Sequence, residues 1–316
     1  NFLKLFGLSY FEKELIKDKI DLIFFTHPAS ESVLLRKLNF IYTLWDMCHI
    51  DHPEFPEIKF NREFVSRENI YQLSCSTSVG ILVESNFTKD EIVKRYNVDE
   101  KKIKKINLYY NKFENIKNPP TKKVENLIKK DYFFYPAQFW AHKNHIFIIK
   151  ALKILRDKYE KKINVIFTGS NMGNKEYILE KVKKFNLGDQ VSFLDFVSND
   201  DLFHLYKNTR ALLMPTYFGP TNIPPIEAVE MNVPIIYSDD KYVKEQFQDA
   251  TYKLDLDNVD SLVDVLLKFA TNKENTEEKL KHYEKIKLKL SCAKNFEILE
   301  TMINEFMNKK GDSWKI

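Results

Sequence analysis

In the 316-residue sequence, the densest group of side chains able to do chemistry is Asp46, His49, Asp51, His52, Glu54 and Glu57, six titratable residues within twelve positions. They follow Phe40-Ile-Tyr-Thr-Leu44, a short apolar run of strand type. The cluster therefore stands at the carboxyl end of a strand, where ligands collect in open α/β sheets. Three uses fit these residue types: lining a ligand cleft, capping their own loop, and holding a metal. His49 and His52 are three apart, but no helical pattern puts them on one face, so metal binding has the least support.

A second stretch runs from Met214 to Val229. Ala211–Met214 reads as a buried strand; Gly219, Pro220, Thr221 and Asn222 are turn formers; Pro224 and Pro225 suit a helix's first turn, where a missing N–H costs nothing. Such a turn leaves free backbone N–H groups and the positive end of a helix dipole facing whatever sits above the sheet, which suits a phosphate. Glu227 is expected to open that helix as a carboxylate.

The elements that must position these residues alternate. Asp21–Thr26, Phe40–Leu44, Val79–Val83 and Lys102–Leu108 read as strands, with helices at Asn61–Ser74 and up to Tyr96. Thr88 with Glu91 three residues later predicts a capping box for the latter helix. After the proline-broken Asn118-Pro-Pro-Thr-Lys-Lys, a second series begins: strand Tyr132–Tyr135, the polar segment Gln138 to His145, a helix with Ile148, Leu152, Leu155 and Tyr159 on one stripe, then strands Ile163–Thr168, Val191–Leu194 and Pro234–Tyr237. Helices are expected at 175–185, 199–206, 242–247, 260–270 and 277–288. The expected fold class is α/β, two facing Rossmann-like domains with a cleft between them. The domains are 1–118, on the acceptor side and missing its first βα units; a linker, 119–130; a donor domain, 131–290; and a closing helix, 291–316, that can return to the first domain.

Composition narrows the class. Lys plus Arg is 49 against 45 Asp plus Glu, a net charge of +4, too small to imply a nucleic-acid partner. Cys48, Cys75 and Cys292 show no CxxC spacing and fit a reducing cytoplasm. No apolar run approaches the roughly 18 residues that cross a bilayer. The chain opens Asn1-Phe-Leu-Lys without Met, and a segment is expected upstream. Lysines 101, 102, 104, 105, 122, 123, 129 and 130 offer a face for an anionic membrane, against the alternative of a solvated surface.

With these residues in view, the chain resembles the GT-B glycosyltransferases, specifically retaining family 4 with its group 1 domain. The resemblance is carried by Phe218-Gly-Pro-Thr-Asn-Ile-Pro-Pro-Ile-Glu-Ala228, Tyr135-Pro-Ala-Gln-Phe-Trp140, His142-Lys-Asn-His145, Phe167-Thr-Gly-Ser170 and Trp45-Asp46 with Pro53-Glu-Phe55. It implies that Lys143 meets the donor diphosphate, that Glu227 holds the nucleotide's ribose, and that Thr221 and Asn222 belong to the loop whose N–H groups meet the phosphates. Gln138, His142, Gly219, Pro220 and Ile223 then fall in the donor site, and Gly169 and Val197 in the nucleotide pocket. Asp46 and His49 become the first domain's candidates for contact with the transferred sugar. Three positions depart from the family's pattern. Gly219 stands where the first glutamate of Glu-x7-Glu is usual, Gln138 where many members have an arginine, and Trp45 where many have a histidine. The family's glycine-rich first loop has no counterpart.

The resemblance implies a cytoplasmic or peripheral glycosyltransferase that moves a sugar from a nucleoside-diphosphate sugar to a glycan or lipid-linked glycan acceptor, with retention, in bacterial surface polysaccharide synthesis. It implies no cofactor and no metal. The alternative is an inactive nucleotide-binding or scaffold subunit of the same fold.

Overall fold

Among the described residues, ten segments of three to six residues form strands, and burial shows why most of these runs are apolar: most are covered on both faces. The computed structural model describes residues 7–108, 113, 116–219, 222–290 and 292–313. The chain divides into two units, one of residues 1–108 with 291–316 and the other of residues 109–290.

The first unit holds β1 (Leu22–Phe25), β2 (Asn39–Leu44), β3 (Gly80–Val83) and β4 (Ile103–Lys105), hydrogen-bonded in that order and all parallel. Leu44 pairs with Val83 in register, so the ends of β2 and β3 are level. On one face Phe40, Tyr42, Leu44, Ile81 and Val83 pack with Tyr71 and Cys75 of the helix Glu63–Thr77. On the other, Ile41 and Leu82 meet Met302, Ile298 and Leu299 of the closing helix Cys292–Ser313. Asn295 ties this helix to the chain after β4, accepting from the Asn107 N–H at 3.1 Å and donating to the Asn107 carbonyl. The helix Tyr10–Lys17 is anchored by Glu12, whose Oε1 accepts from the N–H groups of Arg36, Lys37 and Leu38 at 2.8, 2.6 and 2.9 Å.

The second unit holds β5 (Phe133–Pro136), β6 (Val165–Thr168), β7 (Val191–Leu194), β8 (Leu212–Met214), β9 (Ile235–Ser238) and β10 (Thr251–Leu254). Its six-stranded parallel sheet has the order β10-β9-β8-β5-β6-β7. This is the doubly wound Rossmann order, which reverses between β5 and β8.

Several local expectations are corrected. The helix Asn86–Tyr96 is capped by Ser85, whose hydroxyl oxygen accepts from the Thr88 N–H at 3.0 Å; Thr88 lies inside the helix and bonds Ser85 Oγ. With Ser85 as the N-cap, Thr88 is already the third helical residue, so no helix start is left at Thr88 for a Thr88–Glu91 box to cap. The span 277–288 is two helices, Thr276–Leu280 and Tyr283–Lys289. β10 is an additional strand; it lies at the sheet edge with Lys253 exposed, which breaks the apolar pattern. Residues 119–130 carry the helix Lys122–Leu127, which buries Val124 and belongs to the second unit.

Candidate functional site

The strand order puts the second unit's crevice at the carboxyl ends of β5 and β8, and the polar segments found in the sequence follow these two strands. After β5 the backbone runs to the turn Ala141–Lys143 and then into the helix His145–Tyr159, with Asn144 in the left-handed region, φ 54°. The Tyr135 hydroxyl donates to the Lys143 carbonyl at 2.7 Å, fixing this turn to β5. After β8 the chain is bonded to the same turn. The Tyr217 N–H and the Thr216 hydroxyl donate to the His142 carbonyl at 2.9 and 3.3 Å, and the His142 ring stacks on Phe218 with centroids 4.0 Å apart and planes 13° apart.

These contacts bring Lys143 to Asn222. Lys143 Nζ donates to Asn222 Oδ1 at 2.8 Å, and the amide's Nδ2 donates to the Gly219 carbonyl and to the Tyr237 hydroxyl oxygen, each at 2.7 Å. Asn222 is the N-cap residue of the helix Ile223–Glu230, with Pro224 and Pro225 in its first turn. The cation and a helix N-terminus therefore share one spot, an arrangement that accommodates an anion. Gly219 has φ +111°, and a Cβ there would come within 3.0 Å of the Asn222 amide. That backbone favours glycine at the position where the resemblance leads one to expect glutamate.

Glu227 is buried, on the second turn of its helix rather than at its opening, because Asn222, Ile223, Pro224 and Pro225 occupy the first. Ile223 is partly exposed beside it. Gly169 follows β6 with φ +149°, and a Cβ would stand 2.4 Å from the Ala137 carbonyl oxygen, so only glycine lets the β5 and β6 loops approach. Gln138 is exposed and accepts from the Trp140 indole N–H at 2.9 Å, and Val197 lies half-buried three residues past β7 at the same end of the sheet. His145 is buried; desolvation, reinforced by Lys143 and His142, pushes it down to about 3, so it is a neutral core residue. The expectations for Pro220 and Thr221 lie outside the described residues.

In the first unit, the acidic cluster separates. Asp46 is half-exposed, with Oδ1 accepting from the Cys48 N–H at 2.9 Å and from Arg67 Nη1 at 3.4 Å. His49 is corrected: it is 0% exposed, ringed by Phe64 and Tyr71 at 5.4 Å each, and paired through Nε2 with Glu68 Oε1 at 2.9 Å. The short helix Cys48–Asp51 turns it inward, and it anchors that helix instead of meeting a ligand. Glu68 also accepts from the Tyr96 hydroxyl at 2.7 Å and Arg95 Nε at 3.0 Å. Among the described residues no group of three or more His, Cys, Asp or Glu could hold a metal ion. Sequence reasoning missed Glu84, buried directly after β3, and Tyr237 on β9. Glu84 had a signal, a carboxylate abutting the apolar run of a strand; Tyr237, inside such a run, had none.

Two parallel α/β units, the second with Rossmann order and its polar loops at the switch point, define the GT-B glycosyltransferase fold. The chain belongs to the glycosyl transferases group 1 family, whose model matches residues 112–287. It is 33% identical over 170 residues to the O-antigen chain mannosyltransferase RfbU of Salmonella typhimurium, covering 54% of this chain and 45% of that protein. It is 22% identical over 186 residues to O-antigen chain mannosyltransferase B of Escherichia coli, covering 58% and 49%. The chain thus spans about half the length of the curated relatives it matches. Among solved structures, Anabaena HepE in complex with UDP-glucose superposes with a TM-score of 0.72 at 12% identity, over 92% of this chain and 81% of that one.

Proposed function

We propose that this chain is a retaining, metal-independent glycosyltransferase of the subset marked by Phe218 to Ala228, transferring a sugar from a nucleoside diphosphate to a glycan or lipid-linked glycan of a bacterial surface polysaccharide. The observation that carries the reading is the Lys143–Asn222 contact at the switch point, which holds a cation against a helix N-terminus. The donor's diphosphate sits there. Lys143 and the loop N–H groups neutralise charge as it develops on the leaving phosphate. Glu227 accepts hydrogen bonds from the two ribose hydroxyls. The acceptor hydroxyl oxygen bonds to the anomeric carbon as the carbon–oxygen bond to the diphosphate breaks, and the hydroxyl proton passes to the departing phosphate oxygen on the same face. No protein nucleophile is needed.

The polysaccharide class is supported by the printed activities of the two O-antigen relatives, and the donor class by the UDP-glucose bound to HepE. A thermal-shift panel of UDP, GDP, ADP and CMP with their sugar conjugates tests the reading. One nucleotide is expected to stabilise the chain, by about 2.7 kcal/mol at a hundredfold excess over its dissociation constant. Glu227→Ala and Lys143→Ala are expected to remove that shift. Unchanged binding and turnover in Glu227→Ala sinks the assignment, and a flat response to every nucleotide favours a scaffold of the same fold.

A further inference from the structure

Four lysines meet at the amino ends of β2, β3 and β4, the opposite ends of the sheet from the one that carries Asp46. Lys101, Lys102, Lys104 and Lys309 line a cavity of 260 Å³ whose wall holds one carboxylate, that of Glu305. The first three come from the turn Glu100–Lys102 and from β4, while Lys309 and Glu305 come from the closing helix, so the cavity depends on that helix returning to the first unit. Among the described residues none of the four ammonium groups makes an ion pair. The neighbouring acids are engaged elsewhere. Asp99 accepts from the Lys101 N–H at 3.0 Å, Glu100 pairs with Lys89 at 2.7 Å, and Asp21 pairs with Lys310. Lys102 Nζ donates to the Ser78 carbonyl at 3.4 Å, a partner that carries no net charge.

Four lysines against one glutamate leave the wall strongly positive. A round cavity of this volume is about 8 Å across, no wider than the Debye length at physiological salt, so wall and occupant are not screened from each other. The like charges repel one another across it, and an anion relieves that repulsion. The chemistry narrows the anion. A carboxylate offers one charge on a planar pair of oxygens that arginine's fork suits, and no arginine lines this cavity. Ammonium groups are point cations with three donors each, which suit the several oxygens and the greater charge of a phosphate. The lining also includes Ile41, Met302 and Phe306, all buried. A phosphate ester carries both parts, the anion for the lysines and a hydrocarbon stem for the apolar wall.

We propose that this cavity is a binding site for a phosphate ester with an apolar stem, held by Lys101, Lys102, Lys104 and Lys309. The same chemistry occurs in a phospholipid headgroup and in a soluble alkyl phosphate. The site is independent of the donor reading, because every residue that lines it belongs to the first unit.

The test titrates the full chain, its methionines labelled with carbon-13 at the methyl group, with inorganic phosphate, methyl phosphate and hexyl phosphate. Hexyl phosphate is expected to saturate, about tenfold tighter than methyl phosphate, and to weaken as salt rises. It should shift the methyl signal of Met302, assigned through Met302→Leu, and leave that of Met214 on β8 in place. Lys102→Ala and Lys104→Ala should each weaken binding about fivefold, whereas Lys122→Ala and Lys129→Ala in the second unit should not change it. Glu305→Gln removes the carboxylate of the wall and should tighten binding about threefold, a gain that a misfolded variant does not give. Sedimentation with phosphatidylglycerol but not phosphatidylcholine vesicles, competed by hexyl phosphate, supports the site and identifies the ester as a lipid headgroup. Saturation by hexyl phosphate without sedimentation supports it and identifies a soluble ester. The site is overturned if hexyl phosphate fails to saturate, whatever the vesicles do, if the Met302 signal stays still, or if Glu305→Gln weakens binding or leaves it unchanged.

Discussion

At the scale of residues, Asn222 links the parts of the second unit's site. Its amide joins Lys143, the Gly219 carbonyl and the Tyr237 hydroxyl, so the lysine's position depends on the placement of this one side chain. Tyr237→Phe removes one neutral hydrogen bond, worth about 0.5–1.5 kcal/mol. Calorimetric titration should show nucleoside diphosphate binding weakened by about threefold to tenfold; affinity unchanged within error would mean that Tyr237 does not position Asn222. Gly219→Glu, which puts in the glutamate that the resemblance leads one to expect, should weaken binding further, since φ +111° disfavours any side chain and the new Cβ crowds the amide. Lys143 and Glu227 were singled out by the resemblance, through His142-Lys-Asn-His145 and Phe218 to Ala228, and the structure puts both segments after β5 and β8. His49 misled because adjacent carboxylates in sequence said nothing of the short helix that rotates its ring into Phe64 and Tyr71.

At the scale of elements, two loops and one helix depend on single residues. Gly169 allows the β5 and β6 loops to approach, and Gly169→Ala places a Cβ against the Ala137 carbonyl. The variant should unfold at lower denaturant and bind nucleotide more weakly, costing about 1–3 kcal/mol. An unaltered urea midpoint would show that the loops can move apart freely. Glu12 fastens the helix Tyr10–Lys17 to the start of β2. Burial alone would raise its carboxyl, but three backbone N–H donors outweigh that and hold it below the ordinary 4.5. A depressed native value contributes stability that is present above pH 4.5 and is lost as pH falls through the lower native value. Glu12→Ala, leaving those donors unsatisfied, should cost about 2 kcal/mol at pH 7 and flatten the acid limb of the stability profile. Equal acid sensitivity in variant and parent would refute this account.

At the scale of the whole molecule, the lysines suggested as one membrane face fall into two sets. Lys101, Lys102, Lys104 and Lys105 belong to the first unit, and Lys122, Lys123, Lys129 and Lys130, all exposed, to the second. The first set has a concave setting, since Lys101, Lys102, Lys104 and Lys309 line a cavity of 260 Å³ at the amino ends of β2 and β3. At about 1 kcal/mol per lysine near an anionic surface, replacing Lys101, Lys102 and Lys104 by alanine should reduce sedimentation with phosphatidylglycerol vesicles more than replacing the second set. Sedimentation independent of anionic lipid would remove the membrane partner. No helix of the described residues is long and apolar enough to cross a bilayer.

By itself the sequence determined the alternation of strand and helix, because a parallel strand covered on both faces must be an uninterrupted apolar run. It also determined the polar loops after β5 and β8, since Gly, Pro and Asn at such spacing have few backbone solutions. Only the tertiary structure decided that these loops meet, because strand order is set by which sheet neighbours bury most, and β5 beside β8 lies nearly eighty residues apart in the chain. The same holds for the cavity at the amino ends of β2 and β3. Lys104 and Lys309 stand in distant parts of the chain, and only the packing of the closing helix on Ile41 and Leu82 brings them to one wall.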